Sequence, residues 1–263
     1  MNFVNVLFIG DIVGKVGYQI IEKFLRKFLD EYKIDICIAN GENIANGKGI
    51  SMDDAKNLFE LGVNVITSGN HLWDNWESRK VLAKYKNVLR PLNYPKENPG
   101  NGYTIFNVNE NVKVGVLNLQ GRIYMSPIDC PFKVADWAIS KISEETKIIF
   151  VDFHADATAE KISLGWYLDG RVSAVCGTHT HTPTADGKIL PNGTAYITDV
   201  GMTGPYDSSL GMKKEIAIKR FITQTPHKYE MASEDVRFCG AFIQIEKETG
   251  KAIKFEQIIF PKF

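Results

Sequence analysis

Four cysteines, Cys37, Cys130, Cys176 and Cys239, stand far apart in a chain of 263 residues, with no Cys-x-x-Cys pair among them. So few thiols, so widely spaced, exclude a disulfide scaffold and a Cys-rich zinc module. All but Cys130 sit in apolar, strand-like runs, where a thiol acts as a small buried hydrophobe in a reducing compartment. Excess charge of one sign is also missing. Thirty-one basic residues balance 31 acidic ones, so no global field draws the chain to nucleic acid or an anionic membrane, and no Lys/Arg run suggests a local patch. No stretch approaches the roughly 18 consecutive apolar residues of a membrane span. The opening MNFVNVLFIGD lacks the basic n-region and the apolar length of a signal peptide. These absences lead to the expectation of a cytoplasmic globular protein, and the 44% hydrophobic and 24% charged fractions are ordinary for one. Histidine is scarce too, with five in all, yet two of them are crowded into Thr-His-Thr-His at 178–181.

No low-complexity tract, repeat or Pro/Ser-rich linker divides the chain, so one domain over residues 1–263 is expected. Short apolar runs alternate with amphipathic stretches. Val4–Ile9, Ile34–Ala39 and Val63–Thr67 read as strands. Helical spacing runs through Ile20, Ile21, Phe24, Leu25, Phe28 and Leu29, and helices are expected over Ser51–Leu61 and about Asn75–Tyr85. Ser51 is the expected N-cap of the second helix, with Asp54 three residues on. Tyr103–Val108 and Val112–Leu119 flank Asn109-Glu110-Asn111, a hairpin turn. Helices near Phe132–Ser143 and Thr158–Trp166 alternate with strands at Lys147–Phe153 and Val172–Cys176. The end is strand-rich: Ala195–Thr198, Asp235–Ile245 and Ile253–Phe260. This order predicts an α/β fold with two sheets, each carrying part of the helix set on its outside.

Ligands of α/β sheets gather at the carboxyl ends of strands. Those positions hold Asp11, then Glu42 and Asn43, then Asn70 and His71, then His154, then His179 and His181. Singly each has a structural reading: an Asp or Asn after a strand caps a helix or forms an Asx-turn, and one His hydrogen-bonds its neighbours. Together, two carboxylates, two amides and four imidazoles converging on one rim are costly without a cation. Imidazole and carboxylate without thiolate suit iron, manganese, zinc or cobalt. Eight groups exceed one tetrahedral ion, and paired ions about 3.5–4 Å apart are the recurring solution for phosphate-ester hydrolysis. The fifth histidine, His227 in Thr-Pro-His-Lys, falls outside the set. The glycine-rich GDIVGKVG at 10–17 fits neither G-x-G-x-x-G nor a Walker A, because it is a residue short and has no Ser/Thr after Lys15.

The order of these residues resembles the calcineurin-like metallophosphoesterases, whose pattern runs Asp-x-His, Gly-Asp, Gly-Asn-His-Asp/Glu, His, Gly-His-x-His. Departures are Val13 at the first histidine, Glu42 for the bridging Asp, Asn43 after it, and Gly-Thr before His179. They are those of the YmdB-like subfamily, and LFIGDIVGKVG, NGENIANGKG, SGNHLWD, LRPLNYP, NLQGR, DFHADATAEK, GTHTH and AYITDVGMTGPYDS extend the match over nearly the full chain. The resemblance implies a four-layer α/β/β/α sandwich, a dinuclear iron or manganese centre (zinc being compatible), and phosphodiesterase activity on 2′,3′-cyclic nucleotides. It also implies a homo-oligomer, dimer or tetramer. By the same resemblance Glu42 bridges the metals. Asp11 and His181 belong to the first, with Asn43 compensating for Val13, and Asn70, His154 and His179 belong to the second. His71 matches a non-ligand histidine that protonates the leaving group as hydroxide held by the metals attacks phosphorus, and Asp74 either orients it or caps the next helix. Arg122 is a candidate phosphate clamp. Trp73, Tyr94, Trp166 and Tyr206 are candidates to stack a base. The expected partner is a small phosphodiester, RNA ends included, and no membrane. The competing reading is a non-catalytic, metal-dependent regulator that binds a nucleotide or RNA.

Overall fold

Period-two alternation decides which way each strand residue faces. In β1 (Phe3–Ile9), Val4, Val6 and Phe8 take one side and Leu7 and Ile9 the other. β2 (Ile36–Asn40) divides Ile36 and Ile38 from Cys37 and Ala39 in the same way. In the computed structural model, which describes residues 2–263, the two sides belong to different cores.

The first sheet runs β1–β2–β3 in parallel, β3 being Val65–Thr67. Beyond β1 lies β11 (Val236–Glu246), antiparallel, joined in turn to β12 (Ala252–Phe260) and to the short β10 (Gly204–Pro205). The second sheet has the order β4 (Tyr103–Asn109), β5 (Val112–Gln120), β6 (Ile149–His154), β7 (Ala174–Thr178), β9 (Ala195–Ile197), β8 (Lys188–Ile189). Its inner four strands are parallel and the edges antiparallel. α1 (Gly14–Glu31), α2 (Met52–Glu60) and α3 (Trp76–Lys84) supply the apolar cluster on the outer face of the first sheet. α4 (Pro131–Ile142) and α5 (Thr158–Leu168) do the same for the second. A third cluster lies between the sheets, where Phe8 and Phe150 meet with ring centroids 4.9 Å apart. Three cores separating four layers make the α/β/β/α sandwich.

Several local expectations hold. Ser51 and Asp54 form a reciprocal capping box at the start of α2. The hairpin turns at Glu110-Asn111. Residues 70–74, just before the helix expected from about Asn75, form a 3-10 turn, and Asn75 caps α3 by accepting from the Glu77 N–H. α6 (Lys214–Thr223) was not anticipated: it buries only Ala217 and leaves Ile218, Phe221 and Ile222 exposed, so it carries no core-facing stripe to read.

The face between the sheets changes character along each strand. Apolar Ile38 is followed two residues on by Asn40, Val116 by Asn118 and Gln120, Phe150 by Asp152 and His154, and Cys176 by Thr178. By the same parity these polar residues keep pointing inward, and all of them are fully buried. The apolar core thus gives way to a polar chamber at the carboxyl ends of both sheets.

Candidate metal centre

Glu42, two residues beyond β2, forms the floor of this chamber and is fully buried. Its backbone N–H donates to Asn40 Oδ1 at 3.1 Å, and its Oε2 accepts from the His71 backbone N–H at 3.0 Å. Oε1 lies 3.1 Å from His154 Nε2 without hydrogen-bond alignment, and it is a buried carboxylate oxygen with no hydrogen-bond partner. Asp11 Oδ1 is a second such oxygen, while Asp11 Oδ2 accepts from the His179 backbone N–H at 3.1 Å. Two orphaned carboxylate oxygens in a dry site are costly unless a cation meets them.

Proton accounting makes the same point from the histidines. Thr178 Oγ1 donates its one proton to Asp152 Oδ1 at 2.7 Å. It must therefore accept from His154 Nδ1, 2.9 Å away. His154 Nε2 then faces Glu42 Oε1, Asn70 Oδ1 at 3.1 Å and His179 Nδ1 at 3.0 Å. One proton cannot serve three acceptors, whereas one cation can. His181 repeats the arrangement. Its Nδ1 meets the Leu210 carbonyl at 3.1 Å and must donate to it, so Nε2 presents a lone pair to Asn43 Oδ1 at 3.3 Å. The Asn43 amide is oriented by donating Nδ2–H to the Gly47 carbonyl at 3.0 Å.

Electrostatics agrees. Burial pushes the Asp11 carboxyl well above the usual carboxylate range, against the pull of His154. Burial also opposes an ionised Glu42, but the rings of His154, His71 and His179 outweigh it and hold that carboxyl down at about 2. Burial disfavours a charged His154, yet Glu42, Asp11 and Asp152 lift the ring to about 9. His179 is pushed down to about 3 by burial and by His154. The chamber calls for positive charge at its centre, and a metal there would supply it while leaving the imidazoles neutral. Glu42, His154 and His179 offer ligand atoms within 4.8 Å of one another. The donors are nitrogen and oxygen without sulfur, which fits iron, manganese, zinc or cobalt.

The backbone is shaped to this end. β7 stops at Thr178, so the Thr-His-Thr-His stretch is a turn and not an alternating strand: His179 has φ 97° and His181 φ 62°. Left-handed φ at non-glycine residues costs about 1–3 kcal/mol each. The two rings are thereby directed to different partners, His179 to His154 and His181 to Asn43. Gly69 must lack a side chain, because a Cβ there would run into the His154 ring and Glu42.

The sequence profile of the YmdB-like protein family matches residues 7–258. The chain belongs to that family. It is 47% identical over 255 residues to a 2′,3′-cyclic-nucleotide 2′-phosphodiesterase of Bacillus subtilis (strain 168), covering 97% of this chain and 96% of that protein. A putative phosphatase/phosphodiesterase of Mycoplasma pneumoniae is 38% identical over 265 residues, covering 98% and 93%. Among solved structures, a novel phosphatase from Mycoplasma pneumoniae superposes with TM-score 0.93 at 37% identity, over 99% of this chain and 94% of that one. A hypothetical protein from Thermus thermophilus gives 0.90 at 40% identity, over 98% and 99%.

In this YmdB-like chain, Asp11, Glu42, Asn43, Asn70, His71, His154, His179 and His181 all meet at one chamber. Val13 is buried and bridges through its backbone to Asn43. Asp74 does not cap α3, since Asn75 does; it accepts from His71 Nδ1 at 2.9 Å and from Lys48 Nζ at 3.1 Å. Arg122 is exposed, and it is its backbone N–H that bonds Glu160. Of the aromatics, Trp73 and Tyr94 pack against each other in a tilted pair with centroids 5.1 Å apart, and the Tyr206 hydroxyl bonds Met202 and Cys239. Trp166 is half exposed under Lys188. His227 bonds only Thr223 and Thr225 among the described residues. Sequence reasoning missed the supporting layer: Asp152, Thr178, Lys161 and Asp199. Its one visible signal was a lone Asp between Val151 and Phe153 in an otherwise apolar strand.

Proposed function

We propose that the chain is a metal-dependent phosphodiesterase that opens 2′,3′-cyclic nucleotides at the P–O2′ bond, leaving the 3′-phosphate. The observation that carries this is the convergence of Glu42, Asn70, His154 and His179 on one point, with the half-exposed His71 at its rim. The 2′-phosphodiesterase relative and the fit of the donors to cations support it.

In this reading Glu42 would be shared between two ions, with Asp11, Asn43 and His181 available to hold one and Asn70, His154 and His179 the other. Iron or manganese is the expected pair, with zinc compatible. Ions held there would supply polarisation of the phosphoryl oxygens and a water acidified towards neutral pH. The chain's own contribution to bond cleavage is His71. With both ring nitrogens protonated, His71 keeps its Nδ1–H on Asp74 and hands the Nε2 proton to O2′ as the oxygen of water adds to phosphorus and the P–O2′ bond breaks. The proton that water loses restores the ring for the next turnover. Lys48, on the same Asp74 oxygen, fixes that carboxylate.

The wider reading takes residues 1–263 as one domain acting on small phosphodiesters in the cytoplasm, with RNA ends among the diesters that share this chemistry. Buried free thiols at Cys37, Cys176 and Cys239 support a reducing compartment, and no helix among the described residues is long and apolar enough to cross a membrane. The exposed Ile218, Phe221 and Ile222 of α6 support a homo-oligomer, dimer or tetramer. Turnover tests the enzyme reading: metal-loaded protein is expected to hydrolyse 2′,3′-cAMP and bis-p-nitrophenyl phosphate well above Glu42→Gln. Equal rates would leave the non-catalytic, nucleotide- or RNA-binding regulator.

A further inference from the structure

Two of the longest sequence motifs, DFHADATAEK and AYITDVGMTGPYDS, each contribute a buried charged residue that the proposed reaction does not use. They are Lys161 on α5, 1% exposed, and Asp199 just after β9, fully buried. The two form an ion pair, Nζ to Oδ2 at 2.7 Å. Lys161 Nζ also donates to the Thr178 carbonyl at 2.7 Å, one residue before His179. Asp199 Oδ2 accepts from Thr180 twice, from the backbone N–H at 3.0 Å and from the hydroxyl at 2.8 Å, and Oδ1 accepts from the Gly201 N–H at 2.9 Å. Apart from their mutual contact, the two side chains bond only Thr178, Thr180 and Gly201 among the described residues.

We propose that Lys161 and Asp199 are positioning residues: their ion pair clamps residues 178 and 180 and so presents His179 and His181 to separate metals. A buried ion pair is by itself weak evidence for stability, since apolar replacements of both partners are often neutral. What this pair adds is direction. Both histidines sit at left-handed φ, an arrangement that persists only when its surroundings over-determine it. The bonds to Thr178 and Thr180 grip the chain on either side of His179 and immediately before His181. Unclamped, the turn relaxes and the two rings lose their fixed separation. The inference rests on the metal-centre reading above.

Cobalt(II) titration of chelator-stripped protein, followed by its visible absorption bands and by competition for affinity, separates the clamp from simple stabilisation. Asp199→Asn is expected to lower cobalt affinity at least tenfold and alter the bands, the range found when groups that orient metal ligands are removed. The double variant Lys161→Met/Asp199→Asn removes the uncompensated lysine, so the apo thermal midpoint is expected to recover while affinity does not. Thr180→Val keeps the ion pair and the fold, loses one charge-assisted hydrogen bond, and is expected to weaken cobalt binding about fivefold. Wild-type binding with Asp199→Asn and Thr180→Val unchanged in affinity and spectrum would overturn the clamp alone. No cobalt binding by the wild type would overturn it together with the metal-centre reading. Affinity that recovers with the midpoint in the double variant would make the pair a stabilising contact and sink the proposal.

Discussion

Thr178 decides which nitrogen of His154 carries the proton. Its hydroxyl hydrogen goes to Asp152 at 2.7 Å, so its lone pair receives the His154 Nδ1–H at 2.9 Å, and Nε2 is left facing the chamber. The strand parity that buries Phe150 and Cys176 between the sheets delivers Asp152 and Thr178 to this position. Asp152 is held in turn by Asn40 at 3.0 Å and by the Thr67 hydroxyl, both from the opposite sheet. The tautomer of a site histidine is thus fixed by the way two sheets meet.

Thr178→Val keeps the shape and deletes this relay. The His154 N–H is left without an acceptor and Asp152 without one donor, a buried loss of about 1–3 kcal/mol in urea unfolding of the apo protein. Metal affinity is expected to fall by about 10–100-fold because the ring orientation is no longer set. A variant that loses stability but binds manganese like the wild type would show that Thr178 supports only the fold.

His71 differs from the other histidines of the chamber in its exposure and in its partner, Asp74, which lies outside the acceptor cluster. His71→Ala is therefore expected to keep its metal content by elemental analysis. Turnover of 2′,3′-cAMP should drop by roughly 10²–10⁴, the usual contribution of a positioned acid. The drop on bis-p-nitrophenyl phosphate should be much smaller, because p-nitrophenolate departs without a proton. Loss of metal on this substitution would make His71 a ligand.

Much of this chamber is legible in the sequence because its members stand at strand ends, and strand ends follow from apolar runs. Asp11, Glu42, Asn70, His154 and His179 each come within three residues of the end of such a run. The supporting residues are hidden for a physical reason. Lys161 looks like any helix lysine until α5 turns it under β7, and two partners of Asp199, Thr180 and Lys161, lie 19 and 38 residues away along the chain. The Thr-His-Thr-His alternation suggests a strand with both rings on one side. Only the φ values reveal a turn that parts them. α6 stays invisible because most of its apolar residues face outward.

Gly69 places β3 against the acceptor cluster with no room for a methyl group. Its φ is −155°, so the requirement is space and not backbone conformation. Gly69→Ala is expected to displace Glu42 and the His154 ring, abolish stoichiometric metal binding and with it turnover, and leave far-ultraviolet circular dichroism unchanged. Full metal occupancy in that variant would mean that the chamber yields more easily than its packing implies.

Asp186 ties the loop that follows His181 to Thr198, just after β9. Its carboxylate accepts from the Thr184 hydroxyl at 2.6 Å and from Thr198 through N–H at 3.2 Å and hydroxyl at 2.6 Å. Burial works against the charge, but these bonds outweigh it and hold the carboxyl below its ordinary value of 3.8. A carboxyl depressed on folding adds stability that is present in full above the unfolded value and is lost as pH falls towards the folded one. Asp186→Asn removes that contribution. The thermal-midpoint difference between wild type and Asp186→Asn, measured on chelator-treated protein, is expected to be constant from pH 7 to about 5 and to shrink below about 4. Titration of the metal ligands is common to both proteins and cancels in the difference. A gap that stays constant down to pH 3 would show that the carboxylate is not what holds the loop to β9.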